Sequence, residues 1–316
     1  MGRFPRIDLK RVRTVSLKGR KSKVRMGDFA QTLPPKVTLS QFLSSLPNIL
    51  AGKDFREVVA KMATAHRRGR PIIFALGAHV IKVGLSPVII QLIDRGLISL
   101  IALNGAGVIH DAEIALVGKT SEDVEEGLRE GRFGMAEETA RFLNTAINDG
   151  VSSGMGLGEA VGNALVKFDP PYANLSLMAA ATKKGIPVTV HVALGTDIIH
   201  IHPSINGAMT GEGSLRDFQT FASAVARLDG GVYLNVGSAV ILPEVFLKAL
   251  TLVRNLGFKV RRFTTVNMDF MRHYRPEMNV VRRPTSQGGR GYTLVGHHEI
   301  MLPLLAAALL ESISVT

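Results

Sequence analysis

The sequence predicts an α/β fold, a mostly parallel sheet flanked by helices, on three observations. Short apolar runs at 71–76, 98–103, 187–193, 231–236 and 259–266 alternate with segments of helical periodicity. Most of these runs end in Gly, Asn, Asp or His just before the next helix begins. An open parallel sheet presents its ligand crevice in that way, at the carboxyl ends of its strands. Apolar residues make up 46% of the 316, which is ample for a sizeable core.

Composition narrows the function. There is no cysteine, so disulfides, thiolate metal sites and a cysteine nucleophile are excluded. No apolar run reaches the length of a membrane span, and the basic N-terminus lacks the apolar segment of a secretory signal. A cytoplasmic protein without a membrane partner is expected. The net charge of +12 is unevenly placed: residues 1–37 hold eleven Lys/Arg against Asp8 and Asp28, a net +9, leaving +3 for the other 279. We therefore read a basic arm, 1–37, ending at Pro34-Pro35, and a single domain, 38–316. The arm could touch nucleic acid, but a solvated tail packing on a neighbouring subunit is the preferred reading.

Along the chain, Asp54 is the expected N-cap of a helix carrying Phe55, Val58, Val59, Met62 and His66 at helical spacing. A strand from Pro71 to Leu76 runs into Gly77-Ala-His-Val-Ile-Lys82, followed by a helix with Pro87 in its first turn. A second strand, Ile98 to Leu103, runs into Asn104-Gly-Ala-Gly107 and another helix. Helices are expected near 121–131, 135–149 and 173–185. Gly154-Met-Gly-Leu-Gly-Glu-Ala-Val-Gly162 has the look of a dinucleotide loop, yet it follows a helix rather than a strand. It is read as a flexible connection. The stretch from Pro187 to Pro243 holds a strand, a polar run through His200 and His202, a helix from Ser214 to Leu228, and the strand ending Val236-Gly-Ser238. After a strand from Lys259 ending at Asp269, some 25 residues rich in Arg, Pro and Gly read as a loop before the last helix, His297 to Ser312.

Several strand ends suit a nucleotide. Glycine-bearing turns at Asn104-Gly-Ala-Gly107 and Val236-Gly-Ser238 let backbone approach a phosphate or ribose, and Asp197 is the kind of acid that receives ribose hydroxyls. Histidines 79, 110, 191, 200 and 202 also fall at strand ends or helix starts. No metal-ligand spacing is completed, so hydrogen-bonding histidines in a polar pocket are preferred to a metal site. There is neither a nucleophile elbow nor a Walker A loop.

Those residues bring a resemblance into view. Asn104-Gly-Ala-Gly-Val-Ile-His-Asp111 resembles the Thr-Ala-Gly-Gly-Val-Glu-Glu-Asp segment of deoxyhypusine synthases. Ile186-Pro-Val188 through Ala193-Leu-Gly-Thr-Asp197 is similar to their Ile-Pro-Val and Ala-Leu-Thr-Asp, and Leu302-Pro-Leu-Leu305 to their Phe-Pro-Leu-Leu. The matches are collinear over about 40–312. The resemblance implies a Rossmann-like domain, NAD as cofactor, and a homotetramer with sites between paired subunits. Carried across, the NAD contacts are Ala78, His79, Asn104, Gly105, Ala106, Gly107, His110, Asp197, Val236, Gly237, Ser238 and Asp269. Glu212-Gly-Ser-Leu-Arg-Asp217 offers a rival match for Asp197, but lies too close to the glycine turn.

The departures bear on chemistry. The family's reactive lysine forms an imine with the aminobutyl group of spermidine, whereas the matching loop here reads Ser286-Gln-Gly-Gly-Arg290. Arginine stays protonated and cannot form that imine. His110 stands where the family has a Glu, and His202 where it has an Asp. The pocket is therefore expected to prefer an anionic or neutral ligand to a polyamine. The resulting expectation is an NAD-dependent enzyme acting on a small, non-polyamine substrate. His110, His202 and Arg290 are its catalytic candidates, and Lys82, His200 and His297 its substrate contacts. Aminobutyl transfer from spermidine and a non-catalytic NAD-binding protein are the alternatives.

Overall fold

The computed structural model describes residues 4–314. The chain forms two compact units, Met1–Lys53 and Asp54–Thr316. In the first, two short 3-10 turns, Leu9–Arg11 and Met26–Asp28, precede α1 (Leu39–Ser45). Thr38 and Gln41 cap α1 reciprocally, each side chain accepting from the other's amide. Of residues 4–37, all but Asp28 and Val37 are exposed, as expected of a stretch with no apolar periodicity.

The helix carrying Phe55, Val58, Val59 and Met62 on its buried face is α2 (Leu50–Arg67). It starts at Leu50, so Asp54 lies inside it rather than at its N-cap. The second unit continues with β1 (Ile72–Leu76), α3 (Ala78–Lys82), α4 (Ser86–Asp94), β2 (Leu100–Asn104), α5 (Gly105–Val117) and α6 (Val124–Arg129). Next come α7 (Glu137–Ser152), α8 (Leu157–Phe168), α9 (Leu177–Lys183), β3 (Val188–His191), α10 (Gly207–Val225), β4 (Val232–Val236) and α11 (Ile241–Asn255). The chain closes with β5 (Thr264–Asp269), α12 (Tyr274–Pro276) running into a π-helical turn Glu277–Arg282, β6 (Arg290–Val295) and α13 (His298–Ser314).

The six strands form one parallel sheet of order β3-β2-β1-β4-β5-β6. Phe74 of β1 stands in register with Ile101 on one side and Leu234 on the other. All five residues of β1 are buried, because helices cover both faces of the sheet. On one face Ile73, Ala75, Ala102 and Tyr233 pack against Phe221 of α10 and Leu242 and Phe246 of α11. The Tyr233 and Phe246 rings stack at 3.8 Å between centroids. Each such side chain contributes about 1.5–3 kcal/mol by leaving water. The order reverses between β1 and β4, and a doubly wound sheet opens its crevice at that point.

Four further readings of the sequence need correction. The stretch taken as a long loop contains the π-helical turn and β6. That strand lies at the sheet edge and buries only Tyr292 and Leu294, so it shows no apolar run. Helix α10 starts at Gly207, seven residues before Ser214, with Asn206 accepting the Ala208 and Met209 amides. Gly213 hides its periodicity, and must be small because a Cβ there would lie 2.6 Å from Leu157 Cδ2. Strand β5 starts at Thr264, since the Arg261 and Arg262 amides turn aside to Asp229 Oδ1 at 3.0 and 2.7 Å. Finally, only the first three residues of Gly154–Gly162 are a connection, and α8 takes up the rest from Leu157. A Cβ at Gly158 would lie 1.9 Å from the Val188 carbonyl oxygen, and one at Gly162 2.2 Å from Thr182 Oγ1. These glycines bring α8 down onto β3 and α9. Asp217 completes the joint by accepting the Gly158 and Val190 amides at 2.8 and 2.7 Å.

Candidate functional site

The switch point is built from two glycines. Gly77 ends β1 and donates to the Val236 carbonyl at 2.8 Å; Gly237 ends β4 and donates to that of Met268 at 3.0 Å. A Cβ on Gly77 would stand 2.0 Å from the Gly237 oxygen, so the two turns meet backbone to backbone. Gly237 also holds φ +70, which suits glycine. Around this joint stand His79, Phe270, His297 and His298. The His79 ring lies 5.7 Å from that of His298 and 6.4 Å from Phe270, and Phe270 stacks on His297 at 6.5 Å. His298 is buried; its Nε2 donates to the Met268 carbonyl at 3.2 Å, and its Nδ1 has no partner. Asp269 is buried beside it and accepts the Phe270 amide at 2.8 Å. Ala78 opens α3, and buried Ser238 receives the Leu242 amide at 3.3 Å.

The five residues of α3 lead to a second group. A cavity of about 220 Å³ is lined by Lys82, Ala106, His110, Glu113, Glu122 and Asp197, among others. It brings together four residues singled out from sequence and adds two missed carboxylates. His110 Nδ1 lies 2.6 Å from Thr120 Oγ1, whose hydroxyl donates to Glu113. Since the hydroxyl's proton is spent on Glu113, Nδ1 must be the donor to Thr120. In the neutral ring that puts the proton on Nδ1 and leaves Nε2 as an acceptor. Burial alone would raise the Glu113 carboxyl, but His110 3.8 Å away and the hydroxyls of Thr120 and Thr139 hold it below its usual range. Glu113 could have been found in the sequence, because i and i+3 share a helix face.

Asp197 takes an unexpected position. It precedes the 3-10 turn Ile198–Ile201, and its carboxylate rests on the N-terminus of α5, where a Cβ at Gly105 would lie 2.0 Å from Oδ2. It accepts the Ala106 amide, while Asn104 Oδ1 accepts that of Gly107 at 3.0 Å. The amides of the turn read as a phosphate cradle thus serve the chain's own side chains. His200 Nδ1 accepts the Gly195 and Asp197 amides, which aims Nε2 at Asp197 Oδ2, 3.9 Å away. Both facing atoms are buried without a partner. Burial raises the Asp197 carboxyl above its ordinary range, against the opposing pull of His200 and the Ala106 amide.

Two catalytic candidates lie elsewhere. His202 is held between Ser204 and Glu137, each at 2.7 Å, and does not line the cavity. Arg290 opens β6 in register with Thr264, at the amino ends of the strands. Within one chain Arg290 therefore lies at the opposite end of the sheet from the cavity that His110 lines. The buried side of His191 faces Phe221, and desolvation lowers its pKa to about 4, so it is neutral near pH 7. Among the described residues no group of three or more His, Cys, Asp and Glu could hold a metal ion, and no helix is long and apolar enough to cross a membrane.

No family model matches the chain, and no curated protein sequence matches it. Solved structures share its fold. The ternary complex of AgrE with ornithine and NAD+ superposes with a TM-score of 0.54 at 15% identity, over 83% of this chain and 33% of that one. ArgZ, an arginine dihydrolase from the ornithine-ammonia cycle in cyanobacteria, gives 0.53 at 16% identity with the same coverage. A protein described as a putative deoxyhypusine synthase from Entamoeba histolytica gives 0.53 at 11% identity, over 87% of this chain and 94% of its own. The chain therefore spans about a third of the first two. At these identities the likeness is one of fold, and it agrees with the Rossmann-like sheet.

Proposed function

We propose that this chain is an NAD-dependent enzyme of the deoxyhypusine-synthase-like fold, acting on a small amine-bearing substrate. The carrying observation is the oriented His110 sharing one cavity with Lys82 and Asp197, a short helix away from the switch point. Five helical residues span only about 7.5 Å. The unpartnered Nδ1 of buried His298 and the close Gly77–Gly237 joint fit a dinucleotide at the ends of β1, β4 and β5. Ala78, His79, Gly237, Ser238 and Asp269 would hold it there. Bound NAD would supply a hydride acceptor. His110 Nε2 takes the proton released from the substrate.

The substrate class differs from the one the sequence suggests. Glu113, Glu122 and Asp197 line the cavity against one lysine, so its charge favours a cation over an anion. A fold relative that holds ornithine and NAD+ together supports an amine-bearing small molecule. A homotetramer with sites between paired subunits belongs to the same reading. Aminobutyl transfer from spermidine remains the second reading, because Lys82 places an amine in this cavity. The test is calorimetric titration with NAD, then NADH formation across panels of small amines and small carboxylates. Absence of NAD binding, or turnover of carboxylates alone, would sink the proposal.

A further inference from the structure

A larger cavity, about 610 Å³, opens at the other end of the strands. Lys61 of α2, Arg68 just beyond it, Arg70 before β1, Arg262 before β5 and Arg290 at the start of β6 line it. All five are exposed. A neighbouring cavity under Pro71, Ser99 and Pro187 shares Arg70 and adds Arg227. Together they run along the amino ends of the strands, roughly 15 Å from the carboxyl ends for strands of five residues.

The acids nearby are already engaged. Asp229, the one acid lining the cavity, accepts the Arg261 and Arg262 amides on Oδ1 and the Arg262 guanidinium on Oδ2 at 3.4 Å. Although slight burial works the other way, these bonds hold its carboxyl below the usual range. Glu57 receives Arg290 and the Tyr292 hydroxyl, each at 2.8 Å. Lys61, Arg68 and Arg70 have no carboxylate within ion-pair distance among the described residues. A cation after α2 is unremarkable, since it complements the carboxyl end of the helix. That accounts for Arg68 but not for Arg262 and Arg290, which come from strand starts and converge on the same space.

We propose that this trough binds a small anion carrying two or more phosphate groups. Guanidinium groups bind phosphate oxygens in pairs, and several of them around one space match several phosphates rather than a lone carboxylate. The volume suits a small molecule. Nucleic acid is the weaker fit, because Phe263 is buried and Arg290 covers the Tyr292 ring at 5.0 Å, leaving no open ring for a base to stack on.

The experiment is titration of the full chain with sodium tripolyphosphate and with pyrophosphate at low salt. Wild type is compared with the double variants Arg68→Ala/Arg70→Ala and Lys61→Ala/Arg262→Ala. The basic arm is present in all three proteins, so its contribution cancels. Every substituted side chain is exposed, and circular dichroism checks that each variant folds. Tripolyphosphate should bind wild type, each double variant should weaken it at least tenfold, and NAD affinity should not change. No binding to wild type, or binding to both variants as tight as to wild type, would overturn the proposal. Tighter binding of a single-stranded RNA oligomer, lost in the same variants, would also overturn it by naming nucleic acid as the occupant.

Discussion

Replacing Gly77 by alanine tests the joint on which the site is built. Gly77 has φ −73 and ψ 156, values alanine adopts freely, so any cost comes from space alone. The new Cβ would meet the Gly237 oxygen at 2.0 Å, its carbon at 2.5 Å and the Ser238 nitrogen at 3.1 Å. Relief requires the ends of β1 and β4 to part by more than about 1 Å, given ordinary contacts near 3.5 Å. The 2.8 Å bond from Gly77 to Val236 cannot survive that movement. Overpacking costs about 1–3 kcal/mol and the lost bond about 1 more, so we expect roughly 2–4 kcal/mol. For a unit of this size that lowers Tm by about 5–15 °C. NAD affinity should fall as well, since the crevice is displaced. Gly211→Ala is the control: no atom lies within 4 Å of its Cβ, and alanine inside α10 should stabilise by about 0.5–1 kcal/mol. If Gly77→Ala melts within about 2 °C of wild type and binds NAD equally well, the close approach is not real and the switch-point argument fails with it.

Burial raises the Asp217 carboxyl to about 7, so the folded state holds a proton the unfolded state has lost. Stability from this group is complete below the unfolded pKa near 4 and fades as pH rises through 7. The stability of Asp217→Asn relative to wild type should therefore grow by roughly 2–4 kcal/mol between pH 4 and 8, measured by urea unfolding. Glu113→Gln should cut turnover about tenfold or more by releasing the Thr120–His110 relay, with NAD affinity unchanged; equal turnover would remove His110 as the base. Arg290→Ala should leave NAD binding and turnover intact, because the residue sits at the far end of the sheet; a loss of turnover would return it to the catalytic group. Borohydride reduction after incubation with spermidine and NAD should leave every lysine unmodified by mass, and an adduct at Lys82 would favour aminobutyl transfer instead.

The sheet was legible because its strands are buried on both faces and read as unbroken apolar runs, such as Ile72-Ile-Phe-Ala-Leu76. The edge strand β6 was not, since burying only Tyr292 and Leu294 leaves a pattern that resembles a loop. Within the site, sequence located Lys82, Ala106, His110 and Asp197, which meet in one cavity. It missed Glu113 on α5 and Glu122 in the loop after it, because an acid in either place looks like solvated surface until its partners are known. With them the cavity carries three carboxylates against one lysine. Matching the loop that ends at Arg290 to a relative's loop carries no information about which end of the sheet it occupies, and the structure puts Arg290 at the amino ends.

An all-parallel sheet makes its two ends unlike, and here the difference is electrical. Glu113, Glu122 and Asp197 gather past the carboxyl ends, while Lys61, Arg68, Arg70, Arg262 and Arg290 gather before the amino ends. Acidic side chains thus outnumber basic ones around the cavity at the carboxyl ends, and basic ones outnumber acidic ones around the cavity at the amino ends. A diffusing cation and a diffusing polyanion would be drawn to opposite poles of the same molecule, and their encounter rates would respond to salt independently.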